Sequence, residues 1–430
     1  MNPLALLLGS FFLLILLRVH IGFALIMASV IVMLQQGLPL GSVVNQMYAG
    51  IDSFPLLAVP FFMLLGRILN AGSITTRLLK VADAGVGHIR GGLGHVNVTV
   101  SMVFASLSGS AAADTASVGS ILIPAMKKAG YGAAFAVALT AASSTLGVII
   151  PPSIILIIYG AFGNVSIGAL FLGGILPGVT IGIAMMVYAY LHALRRGYGA
   201  PQPFQGLANL ARALLRGAAP LMIPVLVLGG VIGGFLTPTE AAIIAVLWAL
   251  LLTFVVYRDV PLRRLPGILG EAVVDFAVPL FTVAGAGIFG WLISYLGAAR
   301  IVVGFITGVT TDPTGIMLML VGFLVLIGTV LNPISAVLIF LPIIQALGNL
   351  AGVHPVHLGV LTTVTLSVGL ITPPYGICLL IAAQIGDVRL VDAMLAVLPI
   401  VAITIGVAVA SLAVPGLMLW LPSLAFPKLF

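Results

Sequence analysis

The sequence predicts an all-α polytopic membrane protein, organised as an inverted repeat around two re-entrant helical hairpins. Three observations predict it. Hydrophobic residues make up 61% of the 430 positions and charged residues only 6%, against roughly 25% charged in a soluble domain. Apolar stretches of membrane-crossing length recur along the whole chain, so lipid is met throughout rather than at one anchor. Two of these stretches, 97–126 and 314–347, are too long for one crossing and are interrupted near their middles by polar and helix-breaking residues. With no water in the bilayer to satisfy backbone groups, such segments are helical.

In chain order, apolar segments at 4–17, 21–37 and 54–70 form a first block, 1–72. The opening run resembles a signal peptide but lacks a basic start and an A-x-A site, so a retained helix is expected. Residues 73–96 read as an interfacial arm helix. A hairpin at 97–131 and a broken helix at 133–163 complete the unit 97–166. The block 167–297 holds segments at 169–194, 217–236, 240–256 and 270–297, with a basic linker at 195–216. Within it, Glu240 after Thr237-Pro238-Thr239 marks a helix start with an acidic first turn. A second arm at 298–312 precedes the unit 313–390, which holds a hairpin at 314–347 and a broken helix at 357–385. A C-terminal helix occupies 391–430.

Positive charge orients these segments. If Arg195, Arg196, Arg212 and Arg216 are cytoplasmic, counting crossings with both long segments as hairpins puts fifteen basic residues inside. The remainder are Arg18, Arg67, Arg77, Lys80, Arg90, Lys127, Lys128, Arg258, Arg263, Arg264 and Arg389; only Arg300 and Lys428 fall outside. The first hairpin then opens to the cytoplasm and the second to the periplasm. The halves also match in sequence. Gly147 to Pro152, GVIIPP, corresponds to Gly369 to Pro374, GLITPP, and Ile123-Pro124 and Gly130 correspond to Leu341-Pro342 and Gly348. Asp114 falls opposite Asn332. Similar sequences entering from opposite sides are what an inverted repeat requires.

The hairpin tips carry the chemistry. The first runs SLSGSAAADT at 106–115, where small residues permit a tight turn and free backbone groups that need partners. Exposed carbonyls and hydroxyls at broken helices coordinate a small hard cation, and helix N-termini attract anions. Sodium suits these oxygen ligands. The candidate cation ligands are Ser106, Ser108, Gly109 and Asp114 at the first tip, with Ser143, Thr145 and Gly147 facing them. Gly328 and Asn332, with Thr365, Ser367 and Gly369, form the equivalent set in the second half. Candidate substrate contacts are Ser108, Ser110, Ser144, Pro151, Asn332, Ser335, Thr372 and Pro373. Asp114 is the sharpest of these. A carboxylate near the midplane costs about 2.5–3.5 kcal/mol on insertion scales and needs a cation, a proton or, as a helix cap, backbone N–H groups.

Other chemistries are disfavoured. The basic residues form no single patch that would read nucleic acid, and no G-x-x-x-x-G-K-[ST] loop occurs. Cys378 is alone, and the histidines, expected at helix ends or loops, lack metal-ligand spacing, so no transition-metal site or other cofactor is expected. An intramembrane hydrolase would need a base beside Ser108 or Ser110, or a second carboxylate beside Asp114, and none is foreseen.

Five stretches resemble one transporter family. They are GIDSFPLLAVPFFMLLG at 50–66, HIRGGLGHVNV at 88–98, SGSAAADTASVGSILIPAMKKAGY at 108–131, FLTPTEAAIIAVLWAL at 235–250 and GLITPPYGICLL at 369–380. In order and across the chain, they resemble the large membrane subunit of tripartite ATP-independent periplasmic (TRAP) transporters, of the DctM/SiaM kind. That resemblance implies a multi-pass protein of the bacterial inner membrane working as an elevator, with a transport domain (97–166 and 313–390) moving against scaffold helices. It implies a small four-helix membrane subunit and a periplasmic binding protein as partners, sodium as coupling ion, and a carboxylate such as a C4-dicarboxylate, sialic acid or another sugar or keto acid as substrate. Family members often carry an acidic residue at the second tip; Asn332 keeps an oxygen there but not the charge. The runner-up is a stand-alone sodium/anion symporter of a related elevator fold, which would need no binding protein.

Overall fold

The computed structural model describes residues 2–199, 203–204 and 206–430. Part of the predicted linker 195–216, residues 200–202 and 205, lies outside the described residues. Several helix starts carry a side-chain cap or a proline in the first turn. α1 (Pro3–Leu16) begins after Asn2, whose side chain accepts the Leu4 N–H at 3.0 Å. α2 (Ile21–Gln36) and α3 (Gly41–Ile51) follow, and a 3-10 turn over Phe54–Leu57 leads into α4 (Ala58–Ala71). α3 was not expected, because GSVVNQMYAGI is too short and too mixed to register as an apolar crossing.

The first arm is α5 (Ile74–Val86), and the first hairpin pairs α6 (Gly92–Ser108) with α7 (Ala111–Lys128). The arm therefore ends ten residues short of its predicted limit at 96. Gly91, at φ +76°, turns the chain directly into α6 in a conformation most side chains resist. Then come α8 (Ala133–Ser144), a 3-10 turn (Thr145–Val148), α9 (Ile154–Gly163) and the long α10 (Ile167–Arg196).

α11 (Leu207–Ile232) and α12 (Pro238–Leu250) follow, α12 continuing as a π-helical turn through Val256. A capping box opens α12 as expected: Thr237 Oγ1 accepts the Glu240 N–H at 3.3 Å, and Glu240 accepts the Thr237 N–H at 2.8 Å. α13 (Leu265–Tyr295) and the second arm α14 (Ala298–Val309) lead to the second hairpin, α15 (Pro313–Val330) and α16 (Pro333–Leu350). α17 (Pro355–Ser367), a 3-10 turn (Val368–Leu370) and α18 (Ile377–Gly386) form the second broken helix. The predicted single C-terminal helix at 391–430 is two, α19 (Leu390–Ala413) and α20 (Gly416–Ala425). Pro415 is the cause, since it lacks an N–H and pushes Val414 out of helical geometry.

Among the described residues, eight helices are long and apolar enough to cross a membrane. The order hairpin, helix, 3-10 turn, cis Pro-Pro, helix occurs twice, with the cis bonds at Pro151-Pro152 and Pro373-Pro374. The two copies interlock, because α18 packs on α7 and α8 while α16 packs on α9. A second group surrounds α13, which packs on α2, α3 and α4, with α12 on α4 and α11 on α12. α10 departs from the sequence grouping of 167–297 as one block, since it packs chiefly on α6, α9, α17, α19 and α20. Small residues explain this choice. A Cβ on Gly174 would stand 2.3 Å from the Ile149 carbonyl oxygen, and one on Gly178 would stand 2.4 Å from Ile150. The glycine face of α10 is thus fitted to the first helix break.

Candidate functional site

The first tip is built on Ser108, the last residue of α6, and on Gly109 and Ser110 between α6 and α7. Gly109 takes φ +63° and passes so close to the Pro152 carbonyl that a Cβ would stand 2.8 Å from it. Ser110 caps α7, its hydroxyl accepting the Ala113 N–H at 3.5 Å. The Ser108 hydroxyl accepts the Ser110 N–H at 3.2 Å and donates to Oδ1 of Asp114. Asp114 is completely buried, and among the described residues its Oδ2 has no hydrogen-bond partner. That oxygen faces the backbone of the 3-10 turn, for a Cβ on Gly147 would stand 2.5 Å from it. The capping role considered for Asp114 belongs to Ser110, so the carboxylate is left over. A buried anion with one unsatisfied oxygen is costly unless a cation or proton joins it.

The second tip is tied down differently. Asn332 caps α16, with Oδ1 accepting the Ile334 N–H at 2.9 Å and Nδ2 donating to the Tyr375 hydroxyl at 3.0 Å. The Tyr375 N–H donates to the Thr329 carbonyl at 2.7 Å, and the Gly376 N–H donates to the Gly369 carbonyl at 3.2 Å. Gly369 lies against Gly328, where a Cβ would stand 1.9 Å from the Gly328 carbonyl oxygen. Tyr375 was not foreseen. The available signal was its place directly after Pro373-Pro374, where the first half has the helix-capping Ser153.

The structure thus gathers Ser108, Gly109, Asp114 and Gly147 around one tip and Gly328, Asn332 and Gly369 around the other. Most remaining candidate hydroxyls bond their own helices, as is usual. Ser106 donates to Val103, Ser144 to Thr140, Thr145 to Ala142, Thr365 to Leu361, Ser367 to Val364 and Thr372 to Val368, all at 2.6–2.8 Å. Ser335 is buried, and Pro151 and Pro373 form the cis breaks. Ser143 is drawn instead into a buried network with Ser101 (2.9 Å) and Asn97 (3.2 Å), where Asn97 also bonds Thr140 at 2.6 Å. Two histidines expected at helix ends or loops, His95 and His357, lie in the first turns of α6 and α17 and are buried there.

Beside the first tip lies a cavity of about 970 Å³. Ser108 and Ser110 form part of one wall, with Ser117 and Ser120 further along α7; Arg67 and Asn70 of α4 stand across it, with Arg263, Arg264, Glu271 and Asp275. Arg67 is clamped by the two acids, donating to Asp275 through Nε and Nη2 (2.7 Å at Oδ1) and to Glu271 at 3.0 Å. Among the described residues neither Arg263 nor Arg264 forms an ion pair. Oδ1 of Asn70 is buried without a partner among the described residues. Three arginines, Arg67, Arg263 and Arg264, thus share a cavity with the serines of the tip.

A family profile described as "Tripartite ATP-independent periplasmic transporter, DctM component" matches residues 8–417. The chain is 37% identical over 406 residues to the sialic acid TRAP transporter large permease protein SiaM of Vibrio cholerae, covering 94% of this chain and 95% of that one. It is 33% identical over 372 residues to the C4-dicarboxylate TRAP transporter large permease protein DctM of Pseudomonas aeruginosa, covering 86% and 87%. A third relative, the isethionate TRAP transporter permease protein DctMQ of Oleidesulfovibrio alaskensis, is 35% identical over 417 residues. The match covers 97% of this chain but spans only 66% of the length of that relative. Among solved structures, Neisseria gonorrhoeae MtrF, from a class of antimetabolite efflux pumps, superposes with a TM-score of 0.59 at 13% identity. The superposition covers 86% of this chain and 82% of that one, a likeness of fold alone. The chain belongs to the DctM/SiaM-like large permeases of the TRAP transporters, a family of multi-pass membrane transporters and not of enzymes.

Proposed function

We propose that this chain is the translocating subunit of a sodium-coupled importer of an organic acid in a bacterial inner membrane. It works with a small four-helix membrane subunit and a periplasmic binding protein that delivers the acid. The observation that carries this reading is the buried Asp114, with Oδ2 unpartnered, linked through Ser108 to a serine- and arginine-lined cavity. The first sodium site draws on Asp114, Ser108, Gly109 and Gly147, with Ser106, Ser143 and Thr145 nearby. The second draws on Gly328, Asn332 and Gly369, with Thr365 and Ser367. The substrate acid is held at the tips, by Ser108 and Ser110 with Ser144 and Pro151 on one side and by Asn332, Ser335, Thr372 and Pro373 on the other.

Coupling follows from charge. An ionised Asp114 repels an anion seated at Ser108 and Ser110, by about 4 kcal/mol for unit charges roughly 4 Å apart at an effective dielectric near 20. A sodium ion on Oδ2 removes that repulsion and completes the tip. The arginine wall raises the local anion concentration. Transport itself is an elevator movement of residues 97–166 and 313–390, re-entrant hairpins entering from opposite faces. α10 travels with them because of its glycine fit, and the helices around α13 form the scaffold.

The test is uptake into proteoliposomes holding this chain and its small subunit. A panel of labelled organic acids is offered with and without the cognate binding protein, under inward sodium or proton gradients. Uptake that needs both sodium and the binding protein supports the reading. Sodium-driven uptake without a binding protein would reassign the chain to a stand-alone symporter.

A further inference from the structure

We propose that a basic recess between α5 and the start of α11 holds the phosphodiester headgroup of an anionic phospholipid, pinning the first arm to the bundle. The recess has a volume of about 520 Å³ and is lined by Arg77, Lys80 and Asp83 of α5 and by Arg212 and Arg216 of α11. Four cations thus face one carboxylate. Among the described residues none of the four forms an ion pair with an acid. Two are nevertheless held in place. Arg77 donates to the Ser73 hydroxyl at 3.1 Å and stacks on Tyr257 at 3.8 Å from the ring centre, and Arg212 donates to the Ala208 carbonyl at 3.2 Å. Oriented guanidinium groups that form no ion pair offer their N–H donors to the acceptor oxygens of a phosphate.

The two helices that carry the recess are held in close contact next to it. α5 packs directly on α11, and Val81 sits so close to Gly217 that a Cβ there would stand 2.6 Å from it. The choice of a lipid over a free anion rests on the neighbouring surface. Leu215, which precedes Arg216 and flanks the Arg212–Arg216 face of α11, is 77% exposed. It offers an acyl-chain contact beside the charges, on a helix that continues as a membrane span. Basic pockets at the cytoplasmic end of such helices attract anionic headgroups, at about 1 kcal/mol per basic residue. The positive-inside rule puts this recess in that leaflet. Because α5 joins α4 to the first hairpin, a lipid bridging α5 and α11 fixes the point from which the hairpin swings.

The test uses the full chain in mild detergent, with thermal unfolding and native mass spectrometry as readouts. The probes are phosphatidylglycerol, cardiolipin, phosphatidylethanolamine and inorganic phosphate. Phosphatidylglycerol or cardiolipin is expected to stabilise the chain and to be retained, at concentrations at least about tenfold below those needed for phosphatidylethanolamine. The variant Lys80→Gln/Arg212→Gln/Arg216→Gln, whose three side chains are exposed, is expected to weaken retention tenfold or more. The control Arg195→Gln/Arg196→Gln, which removes charge outside the recess, changes it less than twofold. If the triple variant does not fold, Arg216→Gln alone is expected to weaken retention severalfold. Equal retention by variant and control, or equal effects of the zwitterionic lipid, would overturn the proposal. Protection by inorganic phosphate matching that of the lipids would overturn it too, in favour of a free anion.

Discussion

The hydroxyl of Ser108 donates to one oxygen of Asp114 across a six-residue turn, and the other oxygen of that carboxylate is buried without a partner. Ser110 supplies the cap of α7, so Asp114 is not needed to terminate the helix. Its retained charge is explained only if something joins it. Asp114→Asn keeps a group of the same shape beside Ser108 and removes the charge. Sodium-driven uptake is expected to fall at least roughly tenfold, a loss of about 1.4 kcal/mol or more. Stabilisation of the purified chain by sodium is expected to disappear with it. Sodium dependence that survived the substitution would remove Asp114 from the cation site.

Arg67 pairs with both Glu271 and Asp275 on the wall of the cavity and offsets one of their two negative charges. Arg67→Gln leaves two carboxylates facing the route proposed for an anion, and uptake is expected to drop roughly tenfold through repulsion. Adding Glu271→Gln and Asp275→Asn is expected to restore most of it. Uptake that stayed low in the triple variant would show that Arg67 touches the substrate itself, which transport rates for the three variants distinguish.

Two glycines separate packing from chemistry. Gly369→Ala forces a methyl into the Gly328 carbonyl, where the gap is 1.9 Å. Overpacking between two backbones costs about 1–3 kcal/mol or more. Gly322→Ala, with nothing within 4 Å of its Cβ, adds helix propensity of about 1 kcal/mol. Thermal unfolding is expected to show a lowered midpoint for the first and an unchanged or raised one for the second.

The helical, membrane-spanning architecture was legible because burial in lipid leaves composition no alternative, and the broken helices because Pro-Pro pairs cannot continue a helix. Asp114 stood out for the same kind of reason, as a charge where none is cheap. What the sequence did not reveal depends on contacts between distant segments. Tyr375 matters through a bond to Asn332 forty-three positions away. Arg67 lines a cavity only because α13 brings Asp275 to it. α10 joins the hairpins through glycines whose partners, Ile149 and Ile150, no local pattern identifies. The end of α19 was readable from Pro415, but an unbroken apolar run at 393–421 concealed it.

Asn332 gives the second tip an uncharged polar side chain where the first tip has Asp114. Its Oδ1 already caps α16, and its Nδ2 uses the Tyr375 hydroxyl as acceptor. In Asn332→Asp the capping oxygen is kept, and the Tyr375 hydroxyl, which can rotate, turns from acceptor to donor. The bonding pattern therefore survives and only a charge is added. That charge is expected to strengthen a cation site at this tip, lowering the sodium concentration for half-maximal uptake severalfold or steepening its dependence. Tyr375→Phe in the same background removes the hydroxyl that would otherwise stabilise the new carboxylate, and the gain is expected to shrink. An unchanged sodium titration for Asn332→Asp in proteoliposomes would mean that the second tip holds no coupling ion, leaving Asp114 to carry cation coupling alone.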